Sequence, residues 1–269
     1  MKYALLIGIN YYGTKSQLNG CINDINHVKD KLVSKLGFNL ENIRILTDDS
    51  NELSKLPTGE NIINGLIDLI NKANAVEGGT DIWIHYSGHG SYMIDKSSDE
   101  KDGKDEVIVP LDYLNKGVIS DDYLHQLLSN LSSKIRCTCF FDCCHSGTIL
   151  DLKYKYNKKL SETIDNPNSN IKAIVFLISG CMDCQTSADY CSTKNHEWAG
   201  AMTTSFLKVL ENENYQLTCF NLLQKLNEDL SKCKFSQIPQ MSCSYKLNIN
   251  TIFCNSASNL NSIFMISNK

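Results

Sequence analysis

IRCTCFFDCCHSG (135–147) opens as a largely apolar run and closes on Asp142, two cysteines, a histidine, a serine and a glycine. DIWIHYSGHG (81–90) has the same plan, an apolar run ending in Ser87-Gly88-His89-Gly90. Both read as strands buried on two faces, the pattern of a parallel sheet, with a polar, glycine-flanked turn at the carboxyl end. Outward from them, YALLIGI (3–9), NIRILT (42–47) and KAIVFLIS (172–179) are runs of the same kind. Between and after these lie CINDINHVKDKLVSKL (21–36), TGENIINGLIDLINKA (58–73), SDDYLHQLLSNL (120–131), AGAMTTSFLKVLEN (199–212) and TCFNLLQKLNEDLSK (218–232), with apolar residues at helical spacing. Thr58 and Ser120 are suited to start helices. The alternation predicts an α/β fold, a three-layer α/β/α domain with a mainly parallel central sheet and right-handed crossovers.

A chain of 269 residues with four prolines and no Ser/Gly-rich linker fits one domain, expected over 1–250, with a tail at 251–269 that has no clear pattern. The net charge of −4 supplies no basic field for nucleic acid. No apolar run reaches the roughly 18 residues of a membrane span, and the one in MKYALLIGIN (1–10) is too short for a signal sequence. Twelve cysteines are too thinly spread here for a disulfide scaffold, and Cys137, Cys139 and Cys219 sit in apolar runs. Free thiols in a reducing, cytoplasmic setting are expected, in a monomer. DKSSDEKDGKDE (95–106) and LKYKYNKKLSETIDNPNSN (152–170) read as exposed loops.

In open α/β sheets, sites form beyond the carboxyl ends of the strands. There the two quoted stretches offer His89 and Cys144. An imidazole beside a cysteine favours the thiolate and can protonate a leaving amine. The backbone N–H groups of Gly88 and Cys144 are candidates to hold an oxyanion. Singly, a strand-end histidine is more often structural, and a buried cysteine is more often a small hydrophobe. Jointly, at two glycine-flanked strand ends, they point to a dyad. Strand alternation turns Cys143 and Cys144 opposite ways, so only one can face His89, and the residues alone leave open which. Asp142 should sit on the cleft floor, where a buried carboxylate needs a partner such as a peptide Lys or Arg. Asp105, Asp121, Asp122 and Asp151 are either a solvated acidic face, with Asp121 and Asp122 serving a helix dipole, or carboxylates joined by a cation.

HYSGHG (85–90) and DCCHSG (142–147) resemble the signature blocks of metacaspases, caspase-like cysteine peptidases. LIGINYY (6–12), LNGCINDI (18–25), DEVIVPLD (105–112), ISDDYLHQLL (119–128), SGCMDCQTSAD (179–189), GAMTTSFL (200–207) and FSQIPQMS (235–242) extend the resemblance over about residues 3–250. Without a Pro/Gln-rich prodomain, the chain is similar to a bare catalytic unit of the type I kind. The resemblance implies a caspase-like fold, with Cys144 as nucleophile and His89 as its partner. It implies cleavage of polypeptides after Arg or Lys, with an S1 pocket of Asp24 and Asp142 supported by Cys21 and Ser87. It also implies a Ca2+ site at Asp105, Asp121, Asp122 and Asp151, and self-cleavage in the 152–170 loop at Lys153, Lys155, Lys158 or Lys159. Lys153, where a Pro is common, and Cys184, at a usually polar position, depart from the family pattern. The rival readings are a catalytically silent caspase-fold scaffold and a zinc module built on Cys181, Cys184, Cys191 and His196. A different α/β hydrolase would need a G-x-S-x-G elbow, which the sequence lacks.

Overall fold

The computed structural model describes residues 1–94, 103–144, 146–157, 161–180, 189–191 (backbone only), 198–235, 237–248 and 251–253. The chain runs β1 (Lys2–Gly8), α1 (Cys21–Ser34), β2 (Ile43–Thr47), α2 (Gly59–Asn74) and β3 (Thr80–Ser87). A hairpin of β4 (Gly90–Ile94) and β5 (Lys104–Ile108) follows, then α3 (Tyr113–Lys116), β6 (Ile119–Ser120), α4 (Asp121–Leu128) and β7 (Ile135–Asp142). Next come β8 (Tyr154–Tyr156), β9 (Glu162–Ile164), β10 (Ile174–Ser179) and the small ladder of β11 (Asp189–Cys191) with β12 (Trp198–Gly200). Helices α5 (Ala201–Asn212) and α6 (Cys219–Lys232) and strand β13 (Gln240–Cys243) complete the described elements.

The central sheet has the order β2-β1-β3-β7-β10-β13-β8-β9. Its first five strands are mutually parallel and correspond to the five apolar runs. Helix caps follow the sequence signals: Thr58 Oγ1 accepts from Asn61 N–H at 3.2 Å and Ser120 Oγ from Tyr123 N–H at 3.3 Å.

Strand alternation sorts the core into two halves. On one face Leu5 and Ile7 of β1, Ile82, Ile84 and Tyr86 of β3, and Cys137, Cys139 and Phe141 of β7 pack with α2 and α4. On the other, Ala4, Leu6, Trp83 and Phe140 pack with α1, α5 and α6. This is the three-layer α/β/α arrangement that the alternation predicted.

Three expectations change. Segment 152–170 is not a free loop: β8 pairs with β13, β9 pairs with β8, and Leu152 and Tyr156 are buried. The lysines hid this strand: Tyr154 and Lys155 of β8 are only partly buried, while the backbone completes a ladder on each side. Within 95–106, Asp105 and Glu106 are buried in β5, where Asp121 Oδ2 accepts the Glu106 N–H at 2.6 Å. The boundary at 250 falls too early: Ile252 bridges to Thr218, and the buried Phe253 ring stands 5.9 Å from Phe206 and 6.5 Å from Trp83.

His85 belongs to this core. It is wholly buried, its ring stacked 4.9 Å from that of Phe140 at 14°, and neither nitrogen has a hydrogen-bond partner among the described residues. Burial pushes its pKa down to about 3. In the unfolded chain the imidazole titrates near ~6.5. Below that pH the unfolded state gains a proton that the folded state refuses, so stability is kept above ~6.5 and lost as pH falls. Between about pH 7 and about pH 5 the wild type should therefore lose more thermal stability than His85→Phe, which keeps the stack and removes the titration. Equal losses would place the acid sensitivity elsewhere.

Candidate active site

β3 and β7 are neighbours in the sheet and pair in register from Thr80 opposite Ile135 to Ser87 opposite Asp142. His89 and Cys144 each follow two residues beyond that last pair, so they leave the sheet at the same height on adjacent strands. The ladder extends one step further, with Gly88 N–H donating to the Asp142 carbonyl at 3.4 Å. Gly88, expected as an oxyanion donor, thus has its N–H turned back into the sheet.

Gly90 was not singled out, yet it sits against the nucleophile segment. A Cβ there would lie 2.0 Å from the Cys144 carbonyl oxygen and 3.1 Å from Cys143 Sγ, so only glycine fits. Alternation now separates the two cysteines. Cys143 is 0% exposed and joins the core with Phe141 and Tyr86, whereas Cys144 is partly exposed. His89 is also partly exposed. Its Nε2 lies 2.6 Å from the Ser16 carbonyl, and its ring packs on Tyr11 with centroids 4.7 Å apart. A carbonyl only accepts, so Nε2 carries the proton and Nδ1 the lone pair in the neutral ring.

The loop that brings Ser16 to His89 is itself anchored. Asp48, just past β2, accepts the backbone N–H groups of Asn10 at 2.8 Å and Tyr12 at 3.3 Å. Asn10 Oδ1 in turn accepts the Cys21 N–H at 3.0 Å, which fixes the first turn of α1.

That turn carries Asp24 inward. Asp24 is 1% exposed and Asp142 3%, with Ser87 and Cys21 buried beside them. Ser87 Oγ donates to Asp24 Oδ2 at 2.7 Å and Gly200 N–H to Asp24 Oδ1 at 2.8 Å. Asp142 Oδ2 accepts both the N–H (2.9 Å) and the hydroxyl (2.8 Å) of Thr203. The two carboxylates converge on Gly200: a Cβ there would be 2.3 Å from Asp142 Oδ2 and 2.7 Å from Asp24 Oδ2. All four residues expected in the acidic pocket are buried at this end of the sheet. Gly200 and Thr203 were missed; they lie in a block quoted for its resemblance, but nothing in a Gly or Thr alone announces a carboxylate neighbour.

A second acidic cluster lies beyond α4 and the turn after β7. Carboxylate oxygens of Asp121, Asp122 and Asp151 fall within 4.8 Å of one another. Asp105, expected as a fourth member, is not in this convergent set. The β5 residue whose backbone N–H Asp121 Oδ2 accepts is Glu106. Asp151 adopts φ 45°, a left-handed conformation that Asp tolerates better than most residues. Burial first, and then the Asp151 charge, push the Asp121 carboxyl up to about 8. Of the residues that would make a zinc site, Cys181, Cys184 and His196 lie outside the described residues, and Cys191 is described in backbone only.

The family described as "Metacaspase, peptidase C14 domain" matches residues 2–153. Metacaspase-1 of Eremothecium gossypii is 34% identical, the alignment covering 93% of this chain and 65% of the relative. The Metacaspase-1 of Saccharomyces cerevisiae is 34% identical with 68% of its length covered, and that of Scheffersomyces stipitis 36% identical with 73% covered. This chain thus spans about two thirds of the length of these curated relatives. A solved protein of Geobacter sulfurreducens shares the fold, with a TM-score of 0.64 at 24% identity over 93% of this chain and 98% of that one.

Exposure and pairing together predict thiol reactivity. Brief treatment with iodoacetamide at neutral pH should label Cys144 and leave Cys143 unmodified on peptide mapping, with labelling of Cys144 about 10-fold or more slower in His89→Ala. Preferential labelling of Cys143 would reverse the assignment.

Proposed function

Since this chain belongs to the metacaspase family of cysteine peptidases, we propose that it is a calcium-dependent endopeptidase that cuts polypeptides after Arg or Lys. The observation that carries the reading is the convergence of the buried Asp24 and Asp142 carboxylates on Gly200, at the same sheet end as His89 and Cys144. A guanidinium there could be held by two carboxylates, whereas a substrate Asp would place a third like charge in a desolvated pocket. In the proposed reaction the Cys144 thiolate attacks the carbonyl carbon after the basic residue. The Cys144 N–H stabilises the oxyanion, and His89 protonates the departing amine. Water then hydrolyses the acyl-enzyme and regenerates the thiol.

Asp121, Asp122 and Asp151 would hold the calcium ion. Their hard oxygen donors suit it, and its charge would offset both the burial and the Asp151 repulsion that raise the Asp121 pKa. When bound, calcium supplies charge neutralisation and order at the turn after β7. For self-cleavage, Lys155 is a poor site, because it lies inside β8, paired with Ser242 and Thr163. Lys158 and Lys159, between β8 and β9, are the favoured sites. No described helix is long and apolar enough to cross a membrane.

Two measurements test the reading. Fluorogenic peptides ending in Arg or Lys should be cleaved and those ending in Asp should not. Gly200→Ala, whose new methyl would strike both carboxylates, should lower kcat/KM on the Arg peptide by about 10-fold or more, chiefly through KM. Comparable turnover of the Asp peptide would sink the acidic pocket.

Calcium should raise activity at high-micromolar to millimolar levels, and magnesium should substitute poorly. Because the raised Asp121 carboxyl must shed its proton to bind a cation, calcium affinity by calorimetry should increase as pH rises toward about 8. In the absence of cation the sign for stability is opposite. The folded state holds a proton above the unfolded pKa, so this group's contribution declines as pH rises from the usual carboxylate range to about 8. Full activity in chelator, or an unchanged calcium response in Asp121→Ala/Asp122→Ala, would overturn the calcium site.

A further inference from the structure

The peptide groups on either side of His89 are held by two buried tyrosines, at positions 11 and 86. Tyr11 is 1% exposed and Tyr86 0%. His89 N–H donates to Tyr11 Oη at 3.0 Å, and Tyr11 Oη donates to the Val109 carbonyl at 2.6 Å. In the opposite sense, Val109 N–H donates to Tyr86 Oη at 3.2 Å, and Tyr86 Oη donates to the His89 carbonyl at 2.7 Å. Each phenol has one proton to give and lone pairs to accept with. This assignment uses both protons and satisfies both peptides. The result is a closed ring in which His89 and Val109 are bridged twice through side-chain hydroxyls, besides the direct Val109 N–H to His89 carbonyl bond at 3.2 Å. The two oxygens stand 3.1 Å apart.

We propose that the Tyr11 and Tyr86 hydroxyls are positioning residues of the peptidase, a clamp that sets the backbone of His89 and thereby aims its imidazole at Cys144. The proposal rests on the dyad reading above. Three features distinguish it from ordinary core packing. His89 lies beyond the last pair of β3 with β7, so the β3–β7 ladder does not hold its peptide. Tyr11 contributes twice, through the hydroxyl to the backbone and through its ring face to the imidazole, with centroids 4.7 Å apart. Burial pushes the ionisation of both phenols well above their ordinary range, so both protons stay in place across the working pH of a thiol peptidase. Nothing in the sequence marks the two tyrosines: Tyr86 closes one apolar run and Tyr11 follows another. Their hydroxyls matter because the fold delivers both to one peptide.

The test uses the full chain with calcium and compares wild type, Tyr11→Phe, Tyr86→Phe and the double variant. Phe keeps each ring and removes only the hydroxyl. Activity on an Arg-ended peptide is expressed per site titrated by an irreversible thiol reagent, so misfolded protein does not count. Each single variant should lose roughly 10- to 100-fold in kcat with KM within about 2-fold. The double variant should lose less than the product of the single losses, because both hydroxyls hold the same peptide. The rate of Cys144 alkylation should fall in parallel, and its pH profile should move to higher pH. A purely structural role would lower the melting temperature and leave kcat per titrated site and the alkylation profile unchanged; that result overturns the proposal. Alkylation needs no peptide substrate. If wild type cleaves no Arg or Lys peptide, the substrate reading fails. The clamp is then judged alone: slower His89-dependent alkylation in the Phe variants upholds it, and unaltered alkylation rejects it.

Discussion

The register of β3 on β7 is the constraint from which the rest of the site follows. At one end of the pair, Arg136 forks onto Asp81 directly opposite it, Nε to Oδ1 and Nη2 to Oδ2 both at 3.0 Å. At the other, Ser87 stands opposite Asp142. A slip of one residue would exchange the two faces of either strand, driving Asp142 into the apolar layer beneath α2 and α4 and Cys143 into the acidic pocket. Neither is tolerable: an isolated carboxylate in an apolar layer costs several kcal/mol or more. The burial pattern and the Arg136–Asp81 pair therefore select one alignment. In that alignment His89 and Cys144 rise side by side, without any direct bond between them having to hold the strands together.

The same alternation divides the chemistry between the layers. Ser87 and Asp142 face α1 and α5, where Asp24 and Thr203 meet them. Tyr86 and Cys143 face the opposite core. The buried carboxylates thus lie on one side of the sheet and the neutral hydroxyls that hold the His89 peptide on the other. Hydrogen bonds to a carboxylate contribute roughly 1.5–3 kcal/mol each, against a desolvation penalty of several kcal/mol per ion. The donors from Ser87, Gly200 and Thr203 offset much of that penalty while remaining neutral. A pocket built in this way keeps its negative potential.

Much of this was legible in the sequence, for physical reasons. Four of the five parallel strands, all but the edge strand β2, are buried on both faces and so are written as continuous apolar runs, and α2 and α4 carry side-chain caps. His89, Cys144, Asp24, Asp142, Ser87 and Cys21 could be named because the residue types are chemically unusual at strand ends or because the blocks around them resemble a family. Less was legible where the backbone carries the information. Strands β8 and β9 are three residues each and carry polar side chains, so only their backbone pairing reveals them. Gly90 and Gly200 matter for the side chain they lack, which a sequence does not display. Asp105 was grouped with the other aspartates by the family resemblance, but it is not among the carboxylates that converge at Asp121, whose β5 contact is the Glu106 backbone N–H. The two histidines of HYSGHG differ only in position: His85 falls inside the ladder and is packed against Phe140, while His89 falls beyond it and meets solvent.

Strand β5 also gives the acidic cluster a physical connection to the dyad. Asp121 Oδ2 holds the Glu106 N–H at the start of a short run that ends, three residues later, at Val109. Val109 is the residue whose peptide the two tyrosines tie to His89. An extended strand paired on both sides, with β4 and β6, transmits displacement along its length better than a loop does, because its hydrogen bonds resist local bending. A cation at Asp121, Asp122 and Asp151 would change how Asp121 is held, and the rigid element next to it is β5, which leads to the Val109 peptide tied to His89. Calcium control of this enzyme would then need no contact between the ion and the dyad, and no movement of β3 or β7, whose register the whole site depends on.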